Sequence, residues 1–323
     1  MSIYDKDGIA LGSAYDISAS QLSYAYDKDG NVVFSREHNV DYNSYSWTQI
    51  WQNSDMQSVS GTQSFAVYDG KVFWFKSASN GQGNVYVIDE STGATILNST
   101  NIVGGHSNNA SFGGFYAEED TYPILYVGGA SATMMIYENR ITQLDSSSLS
   151  STLLGTLVFT SEVGARLDGT ISENDNDIMI TAGYNYDTYG ATDLYAQFGI
   201  CWWDLTDLTD NGDGTYTPAF IKSVTTEPVY VNKRTSDDQV GVKQSIREHD
   251  GYVWIATGYN AVAGYIYAYN ETTGDVEYSI DLSTTTEVEG IEFVEDANAV
   301  GGYALYVGFQ NGKMRKYTFG EVS

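Results

Sequence analysis

Basic residues are scarce in this chain: 15 Lys and Arg stand against 42 Asp and Glu, a formal charge of −27. A nucleic-acid binder neutralises phosphates with Lys and Arg, so this balance excludes nucleic acid as a partner. The same charge repels anionic membrane surfaces. Long apolar runs are also missing. No stretch approaches the roughly 20 apolar residues of a membrane span, and Met1 to Gly8 lacks the basic start and apolar run of a secretory signal. Neither membrane insertion nor signal-directed export is expected.

Cys201 is the one cysteine, which rules out an intrachain disulfide and predicts a small apolar side chain packed in its strand. The three histidines, His38, His106 and His249, form no metal-ligand spacing. No Gly-x-Ser-x-Gly elbow and no phosphate-binding Gly-Lys-Ser/Thr loop is present, so no cofactor and no metal is expected. Proline is limited to three residues while aromatics make up 14%. With abundant Gly, Ser, Thr, Asn and Tyr, the composition describes strands and turns rather than long helices.

What is present is a repeat. Gln63-Ser64-Phe65, Ala110-Ser111-Phe112, Asp168-Gly169-Thr170, Gln244-Ser245-Ile246 and Glu289-Gly290-Ile291 share a small central residue followed by one of β-favouring bulk. Each precedes, by 9 to 16 residues, an apolar aromatic strand: Phe73-Trp74-Phe75, Leu125-Tyr126-Val127, Met179-Ile180-Thr181, Val253-Trp254-Ile255 and Leu305-Tyr306-Val307. Five such units predict an all-β fold, a five-bladed β-propeller of four-stranded blades over residues 44–323. The first and fourth units match almost element for element, with Asp69-Gly70 and Asp250-Gly251 at equivalent turns. The fifth lacks an outer strand, and an open edge invites aggregation. The segment Tyr45 to Trp51 is placed to close it.

Residues 1–43 are read as a short β arm. Three units with a period of 11 carry Tyr4-Asp5, Tyr15-Asp16 and Tyr26-Asp27. Their Asp-Gly steps are turn chemistry; an EF-hand loop needs Gly at its sixth position, and Gly30 is fourth from Asp27. Short hairpins cannot bury a core alone, so residues 1–35 are expected to serve attachment or homo-oligomerisation.

The third unit has the longest insertions. Its second-to-third connection, Tyr184 to Ala196, carries Tyr184, Tyr186, Tyr189 and Tyr195; its exit loop, Glu227 to Val240, carries Tyr230, Lys233 and Arg234. Both open on one face of the ring, with His106 on the exit loop of the first unit. Long loops on a rigid scaffold are where binding concentrates, and Tyr combines a flat apolar face with a hydroxyl, suited to stacking on sugar rings. Packing of the loops against each other is the competing reading. Lys233, Arg234, Lys243 and Arg247 gather the scarce positive charge near these loops, to receive phosphate or carboxylate or, for Arg247, to pair with Glu248 or Asp250. Asp168 and Glu289 on inner strands are candidates for a glycoside hydrolase or lyase pair; side chains hydrogen-bonding around a wet channel is the favoured alternative.

The Gln63-Ser64-Phe65, Gln244-Ser245-Ile246 and Glu289-Gly290-Ile291 motifs, with their aromatic second strands, resemble the five-bladed propeller of TagC-like proteins and of the platform of phage receptor-binding proteins. That resemblance, over about residues 45–320, implies recognition of cell-wall glycopolymers, teichoic acids among them. The expectation is a non-enzymatic binder of cell-surface glycan, tail-associated in a phage or prophage, made in the cytoplasm and virion-associated or extracellular without a signal peptide. A glycan-cleaving enzyme and a structural assembly module are the alternatives.

Overall fold

A strand apolar at every position needs burial on both faces. The computed structural model describes residues 2–4, 10–13, 24–26 and 32–35, and residues 40–322 except 58–60, 78–81, 108, 130–134, 161–164, 185–194, 231–242, 259–263 and 285. Among these residues every regular element is a strand apart from a 3-10 turn at Val300–Gly302, and no helix is long and apolar enough to cross a membrane.

Five antiparallel units follow in chain order. Unit I holds Thr62–Tyr68, Lys71–Lys76, Gln82–Asp89 and Thr95–Val103. Unit II holds Ala110–Phe112, Leu125–Gly128, Met135–Leu144 and Leu149–Val158, and unit III holds Ala165–Ile171, Ile178–Tyr184, Phe198–Asp210 and Thr215–Thr225. Unit IV comprises Lys243–His249, Tyr252–Thr257, Tyr265–Asn270 and Val276–Asp281. In unit V, Val288–Glu295, Tyr303–Phe309 and Lys313–Glu321 are joined by Val40–Gln52, which pairs antiparallel with Lys313–Glu321. The segment expected to complete the last sheet does so, in a register running from Gln52–Lys313 to Val40–Glu321.

Units II and III are not separate sheets. Their outer strands pair in parallel at Thr156–Thr215 and Leu157–Tyr216, giving one eight-stranded sheet. The cause is the long hairpin of unit III: its strands run to Asp210 and from Thr215, so its tip reaches the neighbouring edge. Asn211 to Gly214 form that tip, with Gly212 donating its N–H to Asp210 Oδ1 at 2.7 Å and Gly212 and Gly214 at positive φ.

The first strands touch one another in the cycle I–II–III–IV–V–I. Five buried clusters lie between successive units around that cycle. Strand alternation feeds two clusters at once: Phe73 and Phe75 pack between units I and II, Val72 and Trp74 between V and I. In unit IV, Val253 and Ile255 face unit III while Trp254 and Ala256 face unit V. Cys201 is buried between units II and III.

Crowding against the neighbouring unit explains the small central residue of the repeat where it is Gly. A Cβ on Gly290 would sit 2.7 Å from Phe65 Cδ1, and one on Gly169 2.5 Å from Ile136 Cδ1. Where the residue is Ser, its hydroxyl stitches neighbouring units: Ser64 Oγ donates to the Ser107 carbonyl at 2.6 Å, Ser111 Oγ accepts from Ile171 N at 3.2 Å, and Ser245 Oγ accepts from Ile291 N at 3.3 Å.

In the arm, Ser2–Tyr4 pairs with Ala10–Ser13 and Tyr24–Tyr26 with Val32–Ser35, and the two hairpins join through the backbone pair Tyr4–Tyr26. The repeated tyrosines of the first and third 11-residue units thus sit opposite each other. The second unit, around Tyr15, lies outside the described residues.

Candidate functional site

Inside the cycle of first strands, Arg247 is the central side chain. Its Nε donates to Glu292 at 2.8 Å, Nη1 to Asn109 Oδ1 at 3.0 Å and to the Ile246 carbonyl at 2.7 Å, and Nη2 to the Phe65 carbonyl at 2.9 Å and to the Ala110 carbonyl. One guanidinium therefore ties units I, II, IV and V. The sequence reading of a pairing with Glu248 or Asp250 is corrected: Arg247 is buried and its carboxylate partner is Glu292, from the adjacent first strand. Burial pushes the Glu292 carboxyl up, against the Arg247 charge that pulls it down. Asn109 complements this, donating to the Gly169 carbonyl of unit III and accepting from Ser245 Oγ at 3.1 Å and Ile246 N at 3.4 Å.

Towards the strand starts lie the residues singled out as catalytic candidates. Asp168 is buried and ion-paired with the buried Lys243. Lys243 is thereby a structural partner rather than a surface cation. Glu287 accepts from Gln244 Nε2 at 2.5 Å. Glu289 is 2% exposed; burial, reinforced by Glu287, holds its carboxyl well above the usual carboxylate range.

The tyrosine loops are described in part. Tyr184 ends its strand with its side chain in the core between units III and IV, where its hydroxyl accepts the Lys243 backbone N–H. Tyr195 and Tyr230 are register partners in the two-stranded ribbon of Tyr195–Ala196 with Val229–Tyr230, which brings the two insertions together. Tyr186, Tyr189, Lys233 and Arg234 lie outside the described residues. His106 is half-buried beside unit I, its Nδ1 3.0 Å from Ser77 Oγ.

At the opposite end of the first strands a cavity of about 220 Å³ opens above Arg247. Its polar lining includes Ser111, Thr170, Ser172, Glu173, Asn176 and Glu248, and its aromatic wall Phe112, His249, Phe293 and Tyr303. His249 stacks on Phe293 at 4.0 Å and meets the edge of Tyr303 at 4.8 Å. Two carboxylates clasp units III and IV reciprocally. Glu248 accepts from Glu173 N at 2.8 Å and Asn174 Nδ2 at 2.9 Å, while Glu173 accepts from His249 Nδ1 at 3.0 Å and Asp250 N at 3.2 Å. Glu173 stands at the rim, its side chain 35% exposed. Carboxylates that accept and aromatic rings that stack are the two elements a polyhydroxylated ring needs. Among the described residues no group of three or more His, Cys, Asp or Glu is placed to hold a metal ion.

The sequence reading missed this cavity. Its aromatic and acidic members come from four units, and the one local signal was the run Arg247-Glu248-His249, unusually polar for a strand whose seven residues are all buried.

No family model matches the chain, and no curated protein matches it. Among solved structures it is similar to the tail fiber of Staphylococcus aureus phage P68, at 13% identity and a TM-score of 0.45. The match covers 91% of this chain and 55% of that one, so this chain spans about half the length of that protein.

Proposed function

We propose that the five units are the blades of a five-bladed β-propeller sealed by Val40–Gln52, and that this propeller is a non-enzymatic recognition module for a cell-surface glycan. The setting is the one the sequence resemblance implies, a phage or prophage tail-associated receptor-binding protein. The cavity above Arg247 carries the reading: an aromatic wall faces carboxylate, amide and hydroxyl groups across about 220 Å³. That is below the roughly 300–1,000 Å³ of a drug-sized site, the scale of a single sugar residue. The blades around it are locked by side-chain hydrogen bonds between first strands, so the wall is preorganised.

Hydrolysis by Asp168 and Glu289 is the weaker reading, because the Asp168 carboxylate is committed to Lys243 inside the ring. Glycan-array and cell-wall binding by the full chain tests the proposal. Phe293→Ala and Glu173→Gln should each reduce binding, whereas Tyr186→Ala, Tyr189→Ala and Lys233→Ala should not. Loss confined to the second set would move the site to the tyrosine loops.

A further inference from the structure

The cavity above Arg247, at about 220 Å³, has room for one sugar residue, so a longer glycan seated in it has to leave across the rim. Where units I and II meet, the aromatic surface continues past that rim. Phe112, part of the cavity wall, lies 5.3 Å from the Tyr68 ring, and Tyr68 meets Phe115 edge to face at 6.4 Å. Phe115 and the next residue, Tyr116, are 53% and 57% exposed. Both stand on the connection between the first two strands of unit II. Its neck is closed by the Gly113 N–H donating to the Ile124 carbonyl at 3.0 Å and the Ile124 N–H to the Gly114 carbonyl at 2.9 Å. Gly114 also lies against the cavity lining: a Cβ there would stand 3.4 Å from Asn176 Cβ.

Tyr116 is propped as well as exposed. The Arg140 guanidinium lies over its ring at 4.7 Å, and Arg140 is itself fixed by Asp120, donating from Nε to Oδ2 at 3.0 Å and from Nη2 to Oδ1 at 2.6 Å. Asp120 Oδ2 also accepts the Ala117 N–H at 3.2 Å, which ties the ion pair to the loop that carries Tyr116. One ring face rests on the cation and the other is open to solvent. An aromatic ring already held in place loses little freedom when a sugar stacks on it.

We infer that Phe115 and Tyr116 form a stacking platform for the sugars that follow the one in the cavity, so that the ligand is an oligosaccharide rather than a single residue. This rests on the glycan-binding reading above and extends it to chain length. Contacts made by further residues of one ligand require no second loss of translational freedom, so affinity rises with length until the platform is filled.

The test is saturation-transfer NMR titration of the full chain with glucose, maltose and maltotriose, and with N-acetylglucosamine, diacetylchitobiose and triacetylchitotriose. In a series that binds, the trisaccharide should bind at least about tenfold more tightly than the monosaccharide. Phe115→Ala combined with Tyr116→Ala should bring that ratio close to one, whereas Tyr116→Phe, which keeps the ring, should retain it. Neither side chain belongs to a buried cluster, so the double variant leaves the core intact. A ratio near one in the parent, or a ratio that survives the double variant, would overturn the platform while leaving cavity binding standing. So would a double variant that keeps the ratio but turns an oligomer into a monomer in sedimentation, because the rings would then join copies of the chain. Binding of none of the six saccharides would overturn glycan recognition itself, and this inference with it.

Discussion

Arg247 Nη1 donates to Asn109 Oδ1 at 3.0 Å, joining two side chains 138 positions apart in the chain. The contact sits where first strands converge, so its loss reaches beyond one pair. Arg247→Met strands the Glu292 carboxylate and leaves backbone carbonyls without a donor, and breaking a buried pair in this way costs about 3–5 kcal/mol. Lys at the same position offers three donors for five acceptors and should recover only part. Urea unfolding followed by tryptophan fluorescence measures both, and Arg247→Met combined with Glu292→Gln should be more stable than Arg247→Met alone.

Tyr42 reports on the seal that Val40–Gln52 makes with Lys313–Glu321. It is 2% exposed, packs against Trp254 and Phe319, and donates its hydroxyl to Asp250 at 3.1 Å. Tyr42→Ala is expected to cost about 3–5 kcal/mol, the range for removing a buried large aromatic. Tyr42→Phe should cost about 0.5–1.5 kcal/mol, the net worth of one hydrogen bond. Near-equal losses in denaturant titrations would show that the hydroxyl, not the ring, holds the seal.

Gly290→Ala places a methyl 2.7 Å from the Phe65 ring and 3.2 Å from the Phe65 backbone nitrogen. Overpacking of this kind costs about 1–3 kcal/mol, so a lowered melting temperature is expected. Unchanged melting would show that the first strands converge less tightly than described.

The pH response of Glu289 has a definite sign. Its carboxyl is raised on folding, so the native state holds a proton that the unfolded chain has released. Stability from this group is therefore fully present below the unfolded carboxylate value of about 4.3 and is lost as pH rises towards the folded value. Glu289→Gln is neutral at every pH. It should melt at a higher temperature than the parent near pH 8 and close to it near pH 4, by circular dichroism at the two pH values. A parent more stable than the variant at pH 8 would show that the ionised carboxylate has a stabilising partner.

Uninterrupted apolarity made the second strands legible, because Phe73-Trp74-Phe75 and Val253-Trp254-Ile255 are buried on both faces and have no polar position to obscure them. The missing outer strand of unit V was legible by elimination. Arg247 was not: a charge beside Glu248 and Asp250 looks like a local ion pair, and its true partners are set by which strands meet at the axis. The merging of units II and III was hidden for a related reason. The Thr156–Thr215 pairing depends on how far a hairpin projects, a length that alternation does not encode.

The seal in unit V also orders events during synthesis. Ser46 and Thr318, bonded side chain to side chain across it, are 272 residues apart. At about 5–20 residues per second a ribosome needs roughly 15–55 seconds to deliver the second after the first. Through that interval Val40–Gln52 has been made and its hydrogen-bonding partner has not. Units I to IV can stack as they emerge, whereas closing the circle has to wait for Lys313–Glu321. A circular permutant opened between Asn53 and Thr62, with Ser323 linked to Met1, would remove that wait by placing the closing strand after all of its neighbours.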